Sequence, residues 1–510
     1  MKHIINKTHL AFPVLALFAG ACNTEKEPAN PNIVIIYADD MGYGDLNVQN
    51  PDSKIPTPYL DQLAAEGMRF TDAHSSSGVC SPSRFAMLTG TYHWRRQHGI
   101  VGSFGEPFFN DGDLTLPQVL KDNGYTTACI GKWHLGWDWQ FINDPSLEIE
   151  LGNRTRQVYK PDDIDWSKPI KGGPLDRGFD YYFGDGTINF PPYTWIENDM
   201  VMDVPTELMI TNNRQETKEG NWEFRPGPIV KSWEPYDVLP TLTQKATEWI
   251  SRQDKSQPFF LYFPLPSPHA PIIPNDEFLG KSEAGGYGDF VYQTDWVAGQ
   301  VLNALKEHGF EENTLVIFSS DNGPEKYAFA RARDYDHFSM GELRGLKVDI
   351  WEGGHRVPTI IKWPGKVQAG SVSDKLISQL DFMPTLATIA DIELPGNSAP
   401  DGYNILPTLL GESYDLPERD VLIHNTWEDM WAVRQANWLY LDDSTGEGRV
   451  MPQYFKDLRG YTDFETDGLL FNLAEDPGQR VNLYEKYPEK VAQMKQLIED
   501  EKSKGYLIKD

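Results

Sequence analysis

Cysteine is scarce in this sequence: the 510 residues include only Cys22, Cys80 and Cys129. Three cysteines exclude the dense disulfide framework that stabilises small secreted domains. Cys129 lies in the apolar stretch TTACIG, which is typical of a small core residue. The sequence therefore predicts no disulfide, and it leaves Cys80 without an obvious structural role.

Positive charge is also scarce. The chain has 46 lysines and arginines against 75 aspartates and glutamates, which gives a formal net charge of −29. Nucleic-acid binding needs a basic surface, so this composition excludes nucleic acid as a partner. An anionic substrate gains no attraction from such a surface either. Any anion site must therefore be a local group of cationic side chains and metal.

Hydrophobic runs long enough to span a membrane are missing. The apolar run LAFPVLALFAGA follows a basic N-terminus and ends in small residues directly before Cys22, which is typical of an export signal. We expect residues 1–21 to be a signal peptide and Cys22 to be a lipidated first residue of the mature protein. Ordinary cleavage near Ala21 stays open, because Ala19 stands where lipoprotein signals usually have leucine.

This export signal predicts a periplasmic protein or a lipoprotein of the outer membrane or cell surface. Residues 22–31 are polar and contain proline, so we expect them to form a tether. Contact with a membrane is then expected only through the lipid anchor.

The rest of the chain has enough apolar residues for a large core, with 40% hydrophobic and 12% aromatic residues. Short runs rich in β-branched or aromatic residues alternate with helical patterns, which predicts an α/β fold: a large, mixed and mostly parallel sheet sandwiched by helices. The predicted strands are NIVIIYA, TTACIG (126–131), PFFLYF (258–263) and TLVIFSS (314–320), and the clearest helical patterns cover 57–68 and 295–309.

The pattern changes after about Pro395. The segments LIHN, WAVRQANWLYLDD and GLLFNLAEDPG are typical of an antiparallel meander, and a helical pattern follows them. We therefore predict a large domain at 32–400 and a smaller α+β domain at 401–510. Residues 140–235 are rich in Pro, Gly, Trp and Asp and are predicted to form long loops at the sheet edge.

Four of the predicted strands run directly into polar residues. In an open α/β sheet, ligands bind beyond the carboxyl ends of the strands, so these residues could meet in one crevice. One acidic pair after a strand is more often a turn or a helix cap, but four coincident endings weaken that interpretation. The residues at the four endings are Asp39 and Asp40, Lys132 and His134, His269, and Asp321 and Asn322.

The oxygen donors in this group predict a metal site. Asp39, Asp40 and Asp321 would repel one another in a shared crevice unless a cation lay among them. Together with Asn322 they offer hard oxygen ligands without thiolate, which favours calcium or magnesium over zinc, and we expect calcium ahead of magnesium.

Cys80 opens the segment CSPSRFAMLTG. Ser81 can cap a helix and Pro82 suits a first helical turn, so we expect a helix to begin just after the cysteine. The positive end of that helix would lie beside Cys80, with Arg84 one turn further on, and this arrangement suits an anion.

This segment resembles the signature of the type I sulfatases, which belong to the alkaline phosphatase superfamily. Further segments resemble the family's pattern in the same order: ADDMGYGD, GKWHLG, SPHAP, SSDNGP, GLKVDIWEGGHRVPTIIKWPG and the closing FNLAEDPGQRVNL. The resemblance runs from about residue 31 to the end, and no core position departs from it. It implies an alkaline-phosphatase-like fold and hydrolysis of sulfate esters.

The resemblance also implies the chemistry of the nucleophile. In the family, the cysteine at position 80 is oxidised to Cα-formylglycine (3-oxoalanine) by a formylglycine-generating or an anaerobic sulfatase-maturing enzyme. The aldehyde hydrates, and one hydroxyl, deprotonated by Asp321, attacks sulfur. The ligands of the metal implied in this way are Asp39, Asp40, the modified Cys80, Asp321 and Asn322.

The remaining site residues implied by the resemblance handle charge and protons. Arg84, Lys132 and Lys347 neutralise the sulfuryl oxygens. His269, helped by Lys347, protonates the leaving alcohol, and His134 then removes a proton from the second hydroxyl, which expels sulfate and regenerates the aldehyde.

Two other functions are compatible with parts of the pattern. A phosphonate monoester or phosphodiester hydrolase of the same superfamily would use the same nucleophile. A non-catalytic carbohydrate-binding relic would be expected to lose one of Cys80, Arg84, Lys132 and His269, and all four are present.

The expected substrate is a sulfated oligosaccharide or polysaccharide, of algal or glycosaminoglycan type, because an export signal precedes a sulfatase-like core. Aromatic residues with polar neighbours suit stacking against sugars. Asn189, Tyr193 and Trp195, with Phe190 between them, are therefore predicted to bind substrate, although each aromatic could equally anchor its loop.

Overall fold

The computed structural model describes Met1 and residues 30–504, apart from 146, 152–153, 211–214, 218–219, 223, 414–416 and 428. The predicted signal peptide after Met1, Cys22 and most of the predicted tether lie outside these residues. Among the residues described, no helix is long and apolar enough to cross a membrane.

The strands in the described part of the chain are β1 (Asn32–Asp39), β2 (Met68–Phe70), β3 (Ala73–His74), β4 (Thr126–Ile130), β5 (Leu147–Leu151), β6 (Arg154–Val158), β7 (Tyr181–Gly184), β8 (Ile196–Glu197), β9 (Met200–Val201), β10 (Glu207–Met209), β11 (Gln215–Thr217), β12 (Gly220–Trp222), β13 (Gly227–Ile229), β14 (Phe259–Pro268), β15 (Thr314–Ser320), β16 (Thr359–Lys362), β17 (Ser371–Ser373), β18 (Ile377–Ser378), β19 (Val421–Asn425), β20 (Trp431–Gln435), β21 (Trp438–Leu441) and β22 (Leu469–Asn472). The α-helices are α1 (Pro58–Glu66), α2 (Cys80–Thr89), α3 (Leu116–Asp122), α4 (Val238–Ser251), α5 (Gly285–Glu307), α6 (Ala328–Tyr335), α7 (Glu352–His355), α8 (Phe382–Ile389), α9 (Leu406–Leu410), α10 (Gln453–Arg459) and α11 (Pro488–Ser503).

The main sheet has the strand order β17-β2-β16-β15-β1-β14-β4-β7-β8-β9. Its centre is parallel: β1 pairs with β14 and β15, β14 pairs with β4, and β4 pairs with β7. Antiparallel pairs of β16 with β15 and of β7 with β8 flank this centre. The predicted fold class, a mixed and mostly parallel sheet between helices, is confirmed.

Strand β1 is buried on both faces, which explains its nearly continuous apolar sequence. Ile33 and Ile35 pack in one hydrophobic cluster, whereas Val34 and Ile36 pack in the cluster on the opposite face of the sheet. The two clusters hold the central strands in place, so the carboxyl ends of β1, β4, β14 and β15 have fixed positions.

The helix predicted at 295–309 begins ten residues earlier, at Gly285, and ends at Glu307. The glycines at its start are typical of a loop in the sequence alone. In the fold, Tyr287 and Phe290 are buried in the core, and Asp289 accepts backbone N–H groups from the preceding loop at 2.7–3.0 Å. Tertiary packing therefore outweighs the low helix propensity of glycine.

The cap predicted for the helix after Cys80 is wrong. Helix α2 begins at Cys80 itself, with Val79 at the cap position. Ser81 Oγ instead accepts the backbone N–H of Val101 at 3.1 Å, a long-range bond that the local sequence does not indicate. Cys80 is thus the first residue of the helix, and Arg84 lies one turn further on.

Residues 140–235 contain more regular structure than the long loops that the sequence predicts. Strands β7, β8 and β9 lie in this region and extend the main sheet, and β5 pairs with β6 in a separate hairpin. These strands are short, so their periodicity is too weak to recognise in the sequence. The region does lie at the edge of the sheet, as expected.

The predicted C-terminal antiparallel sheet is confirmed, with the order β19-β20-β21-β22. Val491, Met494 and Ile498 of α11 share one hydrophobic cluster with this sheet and with Trp94 of the large domain. The boundary near residue 400 stays a prediction, since the two parts share this core.

Candidate active site

The four strand endings meet in one buried group. Asp39 is the last residue of β1, and Asp321 follows β15, its parallel neighbour. The Asp40 backbone N–H donates to Asp321 Oδ1 at 3.1 Å, which joins the two endings directly. Asp40 itself has φ 62, a left-handed conformation that turns the chain sharply after the strand.

Asp39 lies at the centre of the group. Cys80 Sγ donates to Asp39 Oδ1 at 3.7 Å, and Lys132 forms a hydrogen-bonded ion pair with the other oxygen. Arg84 Nη2 lies 3.6 Å from Asp39 Oδ1. Burial raises the pKa of Asp39, but Lys132, His269 and Arg84 outweigh it and hold this pKa well below the usual range. Asp39 is therefore ionised.

Asp321 is held by Arg84, whose Nε and Nη2 both donate to Asp321 Oδ2, at 3.0 and 2.8 Å. Arg84 Nη1 also donates to the Lys132 backbone carbonyl at 3.1 Å, which ties the helix to the end of β4. Burial, followed by the charge of Asp39, raises the pKa of Asp321 to about 6.

Asp40 is paired with Lys347, whose Nζ lies 2.8 Å from its carboxylate. His269 Nε2 lies 3.6 Å from Asp40 Oδ2. Burial raises the pKa of Asp40 to about 6 against the lowering effect of Lys347. Burial lowers the pKa of Lys347, but Asp40 and other neighbouring groups outweigh it and hold this pKa well above the usual value.

The acidic residues fit a divalent cation. Asp39, Asp40, Cys80 and Asp321 each offer a ligand atom, and these atoms all lie within 4.8 Å of one another. Asn322 Nδ2 donates to Asp40 Oδ1 at 2.6 Å, while Asn322 Oδ1 is buried without a hydrogen-bond partner. An orphaned amide oxygen beside three carboxylates is the donor set that a hard cation satisfies.

The thiol of Cys80 is poorly suited to act as a thiolate. The side chain is buried, and this burial raises the pKa of the thiol far above its usual value despite the nearby Lys132 and Lys347. Only the thiolate is a strong nucleophile. Cys80 therefore has the position of a nucleophile without the ionisation that an unmodified cysteine nucleophile requires.

The two histidines differ in their hydrogen bonds. His134 Nε2 lies 3.0 Å from the Val101 carbonyl, an acceptor, so this nitrogen carries the proton and Nδ1, which is buried and has no partner, is left as a base. Burial, followed by Lys132, lowers the pKa of His134 well below its usual value. His269 Nδ1 donates to the Ala270 carbonyl, which leaves its Nε2 facing Asp40.

A cleft opens beside His134. Its lining includes four aromatic side chains, those of Phe104, Trp137, Trp139 and Phe190. A cleft with apolar walls and a few polar groups is the usual form of a small-molecule site.

The residues predicted to bind substrate do not line this cleft, although Phe190 does. Tyr193 is 1% exposed, and its hydroxyl is hydrogen-bonded to the backbone carbonyls of Asn189 and Arg225. Trp195 stacks on Phe183 with ring centroids 4.9 Å apart. Tyr193 and Trp195 anchor their loop, and a direct role for them in binding stays a prediction.

Two residues near the site were not identified from the sequence. Glu325 Oε1 lies 3.8 Å from Lys347 Nζ, and Asp185 lies in the cleft wall directly after β7. The rule that polar residues follow strands would have indicated Asp185, but β7 lies in the region predicted to be loops. Glu325 lies near Lys347 only because of the chain path after β15.

Comparison with known proteins agrees with this geometry. A family model described as sulfatase matches residues 31–392, and a model for the C-terminal part of N-sulphoglucosamine sulphohydrolase matches residues 347–504. The chain is 31% identical to N-acetylgalactosamine-6-O-sulfatase of Bacteroides thetaiotaomicron, over 96% of this chain and 98% of that protein. It is 32% identical to human N-acetylgalactosamine-6-sulfatase, over 89% of this chain and 82% of the human protein.

A solved structure from work on the metabolism of multiple glycosaminoglycans by Bacteroides thetaiotaomicron is similar throughout. It has a TM-score of 0.77 and 30% identity, with coverage of 93% of this chain and 99% of that structure. The matched family model covers both the strand endings and the segment around Cys80. The chain belongs to the sulfatase family, whose members are sulfuric ester hydrolases.

Proposed function

We propose that this enzyme removes sulfate from a sulfated saccharide and that its nucleophile is a formylglycine made from Cys80. The observation that carries the proposal is the position of Cys80. It opens α2, touches Asp39, and lies near the cations Arg84 and Lys132, yet burial keeps its thiol protonated. An oxidised side chain at this position resolves the conflict between a catalytic position and an unreactive thiol.

The first half of the reaction transfers the sulfuryl group. The aldehyde adds water to form a geminal diol, and Asp321 takes the proton of one hydroxyl. That oxygen bonds to sulfur while the bond between sulfur and the ester oxygen breaks. Arg84 and Lys132 are placed to stabilise the charge on the sulfuryl oxygens, because both are buried and already oriented by Asp321 and Asp39.

His269 supplies the proton that the leaving alcohol needs. Burial lowers the pKa of His269 to about 4, so the imidazole is neutral in the free enzyme. An anionic sulfate ester brings negative charge that favours the imidazolium. His269 Nε2 then carries the proton, since Nδ1 is already bound to the Ala270 carbonyl.

The second half of the reaction releases sulfate. His134 Nδ1 is free to accept a proton, because Nε2 is committed to the Val101 carbonyl. When it takes the proton of the remaining hydroxyl, the carbon–oxygen bond to sulfate breaks and the aldehyde returns. A sulfated thiol or alcohol at position 80 would lack this second hydroxyl, which is the chemical reason to favour formylglycine.

We assign calcium as the metal, held by Asp39, Asp40, Asp321, Asn322 and the modified Cys80. When bound, it would neutralise the three carboxylates and polarise the sulfate ester. Calcium is chosen over magnesium because calcium accepts more protein ligands and binds carboxylates through one or two oxygens, whereas magnesium requires a strict octahedron.

The proposed substrate class rests on two supports. Two relatives that match most of the chain, one bacterial and one human, act by their names on 6-sulfated N-acetylgalactosamine. The cleft beside His134 has aromatic walls, including Trp137 and Trp139, which suit the apolar face of a sugar ring. Export through the N-terminal signal and maturation by a formylglycine-forming enzyme complete the proposal.

Mass spectrometry of the peptide that contains Cys80 tests the nucleophile. Active enzyme should show the mass loss of cysteine oxidised to formylglycine, and Cys80→Ala should abolish turnover of both aryl and sugar sulfates without loss of fold. Cys129→Ala is the matched control, because Cys129 is also a buried free cysteine and lies in β4. Full activity with only free thiol at position 80 would refute the mechanism.

A further inference from the structure

Asp185 has a position that the reaction above does not use. It follows β7, which pairs in parallel with β4, so it lies at the same edge of the sheet as Lys132 and His134. Asp185 and His134 line the same cleft. Gly184, the residue before it, is packed so closely against the Gly131 carbonyl that an added Cβ would lie 2.2 Å from that oxygen. The backbone leading to Asp185 is therefore held in place.

The carboxylate of Asp185 receives no hydrogen bond from another described residue. The residue is only 3% exposed. Lys132 is the cation whose charge lowers the pKa of Asp185, and its ammonium group is already paired with Asp39. A buried carboxylate without hydrogen-bond donors lowers the stability of the folded state, so native proteins rarely keep one that has no function.

Other buried aspartates of the molecule show the contrast. Asp295 is fully buried but accepts backbone N–H groups from Tyr59 and Leu60, at 3.2 and 2.8 Å. Asp349 accepts backbone N–H groups from Leu346 and Gly448, at 2.9 and 2.8 Å. These carboxylates shape the backbone around them. Asp185 holds no neighbouring loop in this way. Its oxygens can therefore accept a hydrogen bond from a molecule that enters the cleft.

The surroundings of Asp185 indicate what that molecule offers. Phe104, Trp137 and Phe190 give the cleft apolar walls, and Thr187 adds a hydroxyl. Phe104 has φ 57, an unfavourable backbone conformation for this residue, as is often found at binding sites. Aromatic side chains beside the carboxylate of Asp185 and the imidazole of His134 suit a sugar ring, which presents an apolar face and hydroxyl donors at its rim.

We propose that Asp185 accepts a hydrogen bond from a hydroxyl of the sugar that carries the sulfate and so determines which sugars the enzyme cleaves. This inference rests on the proposed function and adds a specificity-determining residue to it. Because Asp185 lines the cleft and does not belong to the group formed by Asp39, Asp40, Asp321 and Cys80, it selects the sugar without taking part in sulfuryl transfer.

The test pairs a variant with altered substrates. Wild type and Asp185→Asn are compared on an aryl sulfate without sugar hydroxyls, on N-acetylgalactosamine 6-sulfate, and on its 3-deoxy and 4-deoxy analogues. Burial raises the pKa of Asp185 to about 7, so the comparison is made at pH 8, where the carboxylate is ionised. Asp185→Asn should then lower kcat/KM for the intact sugar by about 10- to 100-fold, the usual effect of a hydrogen bond to a charged group, and should leave the aryl sulfate within about twofold. Wild type should discriminate against one deoxy sugar, and the variant should discriminate about tenfold less, because the Asn oxygen accepts the same hydrogen bond without the charge.

Asp295→Asn is the matched control, since it neutralises another buried aspartate outside the cleft. It should lower thermal stability without changing the preference among the sugars. If wild type cleaves the intact sugar and Asp185→Asn does so equally well, or keeps the full discrimination against deoxy sugars, the role of Asp185 is refuted and the proposed function stands. If wild type cleaves only the aryl sulfate, the saccharide function and the role of Asp185 both fail.

Discussion

At the scale of single residues, the hydrogen bonds of the two histidines support the proposed division of the proton transfers between them. His134 Nε2 is bound to a backbone carbonyl and its Nδ1 is free, whereas His269 Nδ1 is bound and its Nε2 faces Asp40. One histidine is thus prepared to accept a proton. The other can donate one only after it has been protonated. Loss of activity alone would not distinguish these roles.

The leaving group can distinguish them. Phenolates from aryl sulfates leave without help, but sugar alkoxides need a proton. His269→Ala should therefore lower turnover of a sugar sulfate about a hundred- to ten-thousand-fold more than turnover of an activated aryl sulfate, the usual range for general acid catalysis. Steady-state kinetics with both substrates measure this ratio.

His134→Ala should behave differently, because His134 acts after the alcohol has left. Both substrates should slow to a similar rate, and a burst should leave sulfate bound to residue 80. Trapped sulfo-enzyme in His269→Ala instead of His134→Ala would show that the two roles are exchanged. Equal dependence on the leaving group in both variants would show that neither has the role assigned.

At the scale of elements, the end of β4 is built around Gly131. This residue has φ 126, and an added Cβ would lie 2.0 Å from the Pro264 carbonyl of β14. Lys132 follows directly, and its backbone N–H donates to the same carbonyl at 2.7 Å. The close contact of the two strands therefore fixes the position of Lys132 beside Asp39.

Gly131→Ala should lower both the melting temperature and kcat/KM, because β4 must move away from β14 and carry Lys132 with it. Gly124→Ala is the matched control: it has φ 89 at the other end of β4, but no atom lies within 4 Å of its added Cβ. The control variant should lower the free energy of unfolding by about 1–2 kcal/mol through backbone strain, and its kcat/KM should stay unchanged. Equal activity in the two variants would contradict this account.

The C-terminal sheet is joined to the large domain by a buried ionic network. Arg434 of β20 donates to Glu352 Oε2 and to Asp72 Oδ2, each at 2.9 Å. Burial raises the pKa of Glu352, but Arg434 and the nearby His74 outweigh it, and the resulting pKa is about 2. The carboxylates of Glu352 and Asp72 are thus ionised, and neighbouring arginine side chains compensate their charge.

Arg434→Met should destabilise the protein by about 3 kcal/mol, since it removes one of two arginines from these carboxylates and leaves them with Arg356, at 3.3 Å from Glu352 and 3.6 Å from Asp72. The folded pKa of Glu352 lies below its unfolded value of about 4.3, so the stabilisation is present above that pH and is lost as the pH falls towards 2. Urea unfolding at several pH values should show the largest difference from wild type above pH 5. Arg333→Met, which removes an exposed pair with Asp334, is the control and should show no measurable change.

At the scale of the whole molecule, metal binding and folding are linked. Asp39 and Asp40 lie at the end of β1, whereas Asp321 follows β15 and is 281 residues away from Asp40, so the cation site exists only in the folded chain. Burial raises the pKa of Asp40 and Asp321 to about 6 in the absence of metal. Their folded pKa values exceed the unfolded values, so the metal-free fold loses stability as the pH rises through about 6.

Exhaustive chelation should therefore abolish activity and lower the melting temperature, and calcium should restore both. Calcium at a concentration a hundredfold above its Kd should raise the free energy of unfolding by about 2.7 kcal/mol. The calcium-dependent rise in melting temperature should be larger at pH 7.5 than at pH 5, because the ligands must lose their protons. In Asp321→Asn, calcium should raise the melting temperature much less than in wild type. Unchanged activity after chelation would contradict the metal assignment.

The sequence by itself determined the fold class and the residues of the reaction group. Buried parallel strands have continuous apolar sequences, and polar residues directly after them must lie at one edge of the sheet, so the group from Asp39 to Asn322 was predictable. The segment CSPSRFAMLTG predicted the nucleophile, and its resemblance identified the family, to which the comparisons also assign the chain.

Only the tertiary structure decided which polar groups have partners. Ser81 does not cap its helix, because a backbone N–H from Val101 occupies it. Tyr193 anchors its loop through carbonyls that no local pattern reveals. Asp185 is distinguished from the other buried aspartates by missing donors alone. Hydrogen-bond partners come from distant parts of the chain, and their presence or absence depends on packing that sequence periodicity does not record.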